Sequence, residues 1–286
     1  MPSMKALKRR ITSVSNTQQI MKAMNLVAAS KVQKYKTKME AIRPMFDEAK
    51  DFMSQGIANE LAAESIYFKE PAKKNSVYVV MSGERSLCGG YNANILKAAL
   101  AKIEDNKGSN SQIIAVGATC KDYFVKRKKA VISSYDGVLE NVSYEVAEDI
   151  AQRLIAMYIA DTDWLNRADE IFIAYTQFET LLSHTPRVLR LLPFESYTAD
   201  SPKEIIYEPN VHTYLKKSIP VYLAMFIYGA MVEASVCEQA SRMTSMDSAT
   251  RNAGEIVDNL TLQYNRQRQG AITQEISEIV GGANAI

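Results

Sequence analysis

The placement of glycine and proline constrains this chain most. Neither residue occurs between Ser3 and Arg43, Pro44 stands alone, and the first glycine is Gly56. After Pro220 there is no proline, and glycine appears only at 229, 254, 270, 281 and 282. The two residues that most readily interrupt regular structure are thus concentrated between positions 56 and 220. Two long helices flanking a globular middle is the arrangement that follows.

Both flanking segments carry a narrow apolar seam. In the first, Leu7, Val14, Met21, Ala28, Tyr35, Ile42 and Ala49 recur every seven residues. The offset set is Ile11, Gln18, Asn25, Val32, Met39, Phe46 and Met53. Two apolar positions per heptad is the coiled-coil pattern. Gln18 and Asn25 interrupt it, either to set register or to loosen the seam beside a working contact. In the second segment Val232, Val236, Ala240, Met243, Met246, Thr250, Ala253, Val257, Leu260 and Tyr264 step by threes and fours, among many small residues. A helix over residues 221–279 would be about 90 Å long at 1.5 Å per residue. Alone it would leave its seam in water, so the two segments are expected to pack antiparallel and to project from the middle.

The middle alternates strand and helix patterns. Strands are expected over 77–81, 113–117, 130–135, 170–178 and 185–192, the last two as an antiparallel hairpin. Helices are expected over 92–104, 119–126 and 143–160. The fold class is therefore α/β: a long antiparallel coiled coil of N- and C-terminal helices plus a central, mostly parallel, Rossmann-like domain with helices on both faces. The expected division is 1–58, 75–200 and 210–286.

Several functions find no support. The turn Ser82-Gly83-Glu84-Arg85-Ser86-Leu87-Cys88-Gly89-Gly90-Tyr91-Asn92 lies where a phosphate loop would, but it is neither GxxxxGK[ST] nor GxGxxG. A tight crossover turn explains its glycines. Only His184 and His212 are present, outside any HxxxH or HExxH spacing, so no metal is expected. No GxSxG elbow occurs. Cys88, Cys120 and Cys237 are odd in number and widely spaced, the usage of reduced thiols. Cys88 reads as a buried turn residue rather than a nucleophile. No catalytic residue and no cofactor are assigned. The N-terminus leads into a basic run rather than an apolar core, so no signal peptide is expected. The apolar stretch over 221–232 is short for a membrane span.

Net charge is only +2, but Lys5, Lys8, Arg9, Arg10, Lys22, Lys31, Lys34, Lys36 and Lys38 precede the first acidic residue, Glu40. Beside a committed seam such charges are expected to project outward, toward nucleic acid or an acidic protein surface. The run lacks the interleaved aromatics of a single-strand binder. A subunit of a partner assembly, a helical adaptor or nucleic-acid-binding protein with a basic coiled coil, and a small-molecule enzyme using the α/β domain are the three classes to be separated.

Three separated motifs resemble one family. Lys8-Arg9-Arg10-Ile11, Asn16-Thr17-Gln18-Gln19-Ile20-Met21-Lys22-Ala23-Met24 and Val27-Ala28-Ala29-Ser30-Lys31 resemble the N-terminal helix of the gamma subunit of F-type ATP synthases. Arg85-Ser86-Leu87-Cys88-Gly89-Gly90-Tyr91-Asn92 is similar to its central motif. Glu238-Gln239-Ala240-Ser241-Arg242-Met243, Asn252-Ala253-Gly254-Glu255, Tyr264-Asn265-Arg266-Gln267-Arg268-Gln269 and the stretch 272–283 resemble its C-terminal signature. Glu84 stands where the family usually has Asp, and Ser86 where it has Gly. No cysteine-bearing insertion of the chloroplast type lies between Glu195 and Val211.

The resemblance implies a non-catalytic rotor. It would stand within a ring of alpha and beta subunits, with its foot on epsilon and the membrane c-ring. It would bind no nucleic acid and meet the membrane only through partners, at the cytoplasmic face of a bacterial plasma membrane. The partner-binding residues it implies are Met24, Arg242, Arg268, Gln269, Thr273 and Glu275, with Tyr207 and Glu208 in the foot. The rigorously purified chain should show no ATP turnover; turnover lost on mutating Arg85 or Cys88 would contradict this reading.

Overall fold

The computed structural model describes residues 3–57, 65–69, 75–106, 110–160, 167–194, 208 and 210–283, without the side chains of 48–57 and 282–283. The order is α1 (Met4–Ile57), β1 (Asn75–Met81), α2 (Tyr91–Asp105), β2 (Asn110–Val116), α3 (Ala118–Lys126), β3 (Ala130–Tyr135), α4 (Tyr144–Tyr158), β4 (Glu170–Phe178), β5 (His184–Leu192) and α5 (Val211–Ala283). Two compact units result: Met1–Ala29 with Arg242–Ile286, and Ser30–Ser241.

The first unit is a helix pair. Gln18 Nε2 donates to the Thr250 carbonyl oxygen at 3.2 Å, and Asn25 Nδ2 to that of Met243 at 2.8 Å. Seven residues forward in α1 thus correspond to seven residues back in α5, which defines an antiparallel register. The two seam amides grip the opposing backbone one heptad apart, so they set register rather than loosen the seam. Gly254 makes this possible: a Cβ there would stand 3.0 Å from Gln18 Nε2. Leu7, Ala28, Met246, Ala253 and Leu260 are buried along the seam, and Val14, Met21, Val257 and Tyr264 half-buried.

The second unit is built on a five-stranded sheet of order β3-β2-β1-β4-β5. β1 to β4 are mutually parallel, and β5 closes an antiparallel hairpin with β4. β1 is buried along its whole length, and edge strand β3 is half exposed, as expected of central and edge strands in a covered parallel sheet. Helices α2 and α3 cover one face through Ile95, Leu96, Ala99, Cys120 and Phe124. The other face meets α4 together with Tyr35 and Met39 of α1 and residues 215–236 of α5. Ser143 caps α4, its side chain accepting from the Val146 amide.

α5 begins at Val211, beside the expected boundary at 210, and runs through Pro220; α1 likewise runs through Pro44. Proline deprives the carbonyl four residues earlier of its helical donor, but Lys216 and Glu40, four residues before, are both exposed to water. A stretch of α5 has the apolar character of a membrane span, yet 67% of it is buried within the fold, as in a core helix.

Val257→Asp places a charge in the half-buried seam and should cost about 2–3 kcal/mol. Gln263→Asp on the exposed face should stay within about 0.5 kcal/mol. Thermal melting followed by circular dichroism compares them; equal small shifts would contradict the paired seam.

Candidate functional site

A doubly wound sheet offers its ligand crevice at the carboxyl ends of the strands where the order reverses, here between β1 and β4. In this chain that crevice is filled by its own helix. Tyr91, at the start of α2, reaches across to α5, where its hydroxyl donates to the Ala234 carbonyl at 3.0 Å. Cys88 and Cys237 pack with it, and Cys237 Sγ lies 3.5 Å from the Thr176 carbonyl at the end of β4. Burial drives the Tyr91 hydroxyl and the Cys237 thiol well above their ordinary pKa, and both stay neutral.

The loop after β1 is shaped to admit α5. A Cβ on Gly83 would stand 2.8 Å from the Glu238 carboxyl carbon, and one on Gly117 would lie 2.1 Å from the Ser82 carbonyl. Gly117 also has φ +98°, a region that favours glycine. Asn92 holds the loop closed: Oδ1 accepts from Gly83 N at 2.7 Å, and Nδ2 donates to the Arg85 carbonyl at 3.2 Å and to Cys88 Sγ at 3.3 Å. Glu84, the departure noted in the sequence, reaches the amide of Ala118 at 3.0 Å and so caps α3. Of the paired glycines, only Gly89 takes positive φ; Leu87 does so too, exposed at the loop tip beside Arg85, which pairs with Glu140 at 3.0 Å.

The residues implied as partner-binding fall into distinct settings. Met24 is half-buried, outside the main seam, with exposed Ile20 and Val27 four residues before it and three after. These three share one helix face. Arg242 is buried. Arg268, Gln269, Thr273 and Glu275 are exposed, as is Glu208, and Tyr207 lies outside the described residues. Thr273 Oγ1 returns to the Gln269 carbonyl at 2.9 Å.

Sequence reading missed what lies among the last four. Ile272, Ile276, Ile279 and Val280 are 47–72% exposed. At 100° per residue they form a stripe flanked by Arg268 and Glu275 on one side and by Thr273 on the other, with Gln269 in line with it one turn earlier. In the observed register α1 begins opposite Tyr264, so this stripe lies past the start of the partner helix. Its i, i+4, i+7, i+8 spacing was the available signal.

The basic run is less uniform than expected. Lys5, Lys8, Arg9, Arg10 and Lys22 are exposed. Lys38, however, turns inward, donating to the Val142 carbonyl and lying 5.2 Å over the Tyr228 ring, and Lys36 pairs with Glu40 at 3.9 Å. The long aliphatic stem lets Lys38 bury its carbons while its ammonium finds a carbonyl.

A sheet domain whose ligand crevice is closed by its own helix, joined in sequence to a helix pair with exposed apolar stripes, defines a subunit built for assembly. The comparisons agree. The ATP synthase family profile matches residues 3–286. The chain is 40% identical to the ATP synthase gamma chain of Desulforamulus reducens, over 100% of both chains, and 38% identical to that of Ruminiclostridium cellulolyticum, over 99% of both. Its fold is similar to a chain in the Euglena gracilis mitochondrial ATP synthase rotor, with TM-score 0.69, 14% identity, and 94% and 98% of the two chains covered. The chain belongs to the ATP synthase gamma chain family.

Asn92→Ala should release the loop after β1, lowering stability by about 2–3 kcal/mol and accelerating alkylation of Cys88 while Cys120 and Cys237 stay slow. Mass-spectrometric mapping of maleimide labelling reads this directly; unchanged Cys88 labelling would contradict the assigned role of Asn92.

Proposed function

We propose that this chain is the central-stalk rotor of a bacterial F-type ATP synthase, coupling ion-driven rotation of a membrane c-ring to conformational change in catalytic beta subunits. The observation that carries the reading is the crevice of the sheet, filled by α5 in a chain whose full length matches gamma chains. With that crevice closed, the helix faces are the surfaces that carry the rotor function. The chain itself is non-catalytic, and the chemistry belongs to the beta subunits.

The proposed mechanism needs only asymmetry. One helix pair inside a threefold ring presents a different face to each beta subunit. Each site is biased toward a different state by differential contact, and rotation exchanges those biases. Met24, with Ile20 and Val27, is the contact proposed for beta. Arg242, Arg268, Gln269, Thr273 and Glu275 meet or brace against the ring, with the isoleucine stripe as an apolar bearing surface. Tyr207 and Glu208 belong to the foot, which meets epsilon and the c-ring. The functional division is 1–58 and 210–286 for the coiled coil and 75–200 for the α/β domain. The complex holds the chain at the cytoplasmic face of the plasma membrane as a peripheral subunit. Exposed Lys5, Lys8, Arg9, Arg10 and Lys22 face acidic protein rather than nucleic acid; such exposed pairs contribute about 0–1 kcal/mol each, and no single one decides assembly.

Met24→Lys sets a second cation near Lys22 at an apolar contact. It should lower the ratio of ion pumping to ATP hydrolysis while subunit yield is nearly unchanged. Both activities are measured in the same inverted membrane vesicles carrying the complex. A ratio at the wild-type value would make Met24 a packing residue.

A further inference from the structure

A cavity of about 390 Å³ opens between α1, the β4–β5 hairpin and α5, away from the filled crevice. Met39, Ile42, Phe46, Tyr175, Phe178 and Phe226 give it apolar and aromatic walls. Phe46 and Phe226 meet at 5.0 Å between ring centroids, and Tyr175 stands edge-on to Phe226 at 6.3 Å. Gly229 leaves room for the Phe46 ring, since a Cβ there would lie 3.0 Å from it.

Glu233 is the one carboxylate from α5 in this wall. The Phe178 backbone amide hydrogen-bonds the carboxyl group, yet Oε2 is buried with no hydrogen-bond partner among the described residues. No cation from the other walls hydrogen-bonds Oε2 among the described residues. Arg43 of α1 pairs with Asp47 at 4.0 Å, and Arg187 of β5 donates to Gln177 Oε1 at 3.1 Å. Cys237, one turn along α5, is held neutral by burial. An unsatisfied carboxylate oxygen inside an aromatic-walled cavity is costly unless a donor reaches it. The volume, the aromatic walls and the few polar groups placed among them match a small-molecule pocket rather than a flat docking face.

We propose that this cavity binds a small ring-bearing molecule with an apolar body and one N–H or O–H donor, anchored on Glu233 Oε2. This site is independent of the rotor reading, and its occupant would bridge α1, the hairpin and α5. Burial raises the Glu233 pKa to about 7, with Arg43 and the Phe178 amide opposing. The carboxylate form accepts the donor best, so affinity should rise with pH through neutrality.

Indole and its isostere indene, which lacks the N–H, are the probes, titrated into the full chain and followed by ligand-observed NMR. Indole should bind saturably and about tenfold more tightly than indene at pH 8, the preference shrinking at pH 6. Glu233→Gln, which keeps an acceptor oxygen but cannot ionise, should leave a small preference that is the same at pH 6 and pH 8 while both probes still bind. Leu189→Trp, which fills the cavity from an exposed edge-strand position, should abolish binding of both even if Glu233→Gln does not fold. Absence of saturable binding, equal affinities at pH 8, or binding that survives Leu189→Trp would each overturn the proposal.

Discussion

The antiparallel packing of α1 on α5 is the interaction on which the rest depends. Each helix carries a seam too narrow to form a core of its own and too apolar to remain in water. Pairing resolves this, but a bare seam tolerates sliding by a turn. The amides of Gln18 and Asn25 remove that freedom by gripping the carbonyls of Thr250 and Met243. A slip would leave them unsatisfied against an opposing helix. Polar residues here exchange some burial for a unique register, and that register determines which residues of α5 lie past the start of α1.

The same economy governs the sheet. A parallel sheet needs both faces covered, and the three crossover helices cover one face completely and the other only in part. Residues of α1 and α5 complete the second face, and α5 goes on to occupy the crevice at the strand ends. Gly83 and Gly117 allow this by omitting side chains where backbone and Glu238 approach. The crevice at the strand ends thereby serves as a mounting for a helix. Asn92, which in sequence looks like an ordinary first-turn residue, becomes the clasp of the loop.

Function then shifts from pocket chemistry to surfaces. Ile20, Met24 and Val27 on α1, and the isoleucine stripe near the end of α5, expose apolar area that monomeric soluble proteins usually cover. That exposure accords with the gamma-chain family, where the work of the chain lies in what its faces press against. The cavity around Glu233 stands apart from this scheme, being the place where an aromatic wall and an unsatisfied carboxylate oxygen meet.

Much was legible in one dimension because its signals are local. Glycine and proline placement, heptad spacing and alternating runs depend on neighbours within a turn or a strand. They determined two long helices, five strands in order, the β4–β5 hairpin and, through three motifs, the family. Register, the plugging of the crevice, the inward turn of Lys38 and the isolation of Glu233 depend on residues about a hundred or more positions apart, or on which neighbouring cations are already paired. Whether Gln18 loosens or locks the seam could not be read from Gln18, because the answer is the position of the Thr250 carbonyl. Spacing marks which residues share a face; only tertiary packing decides which faces are satisfied, and an unsatisfied face or atom is where binding occurs.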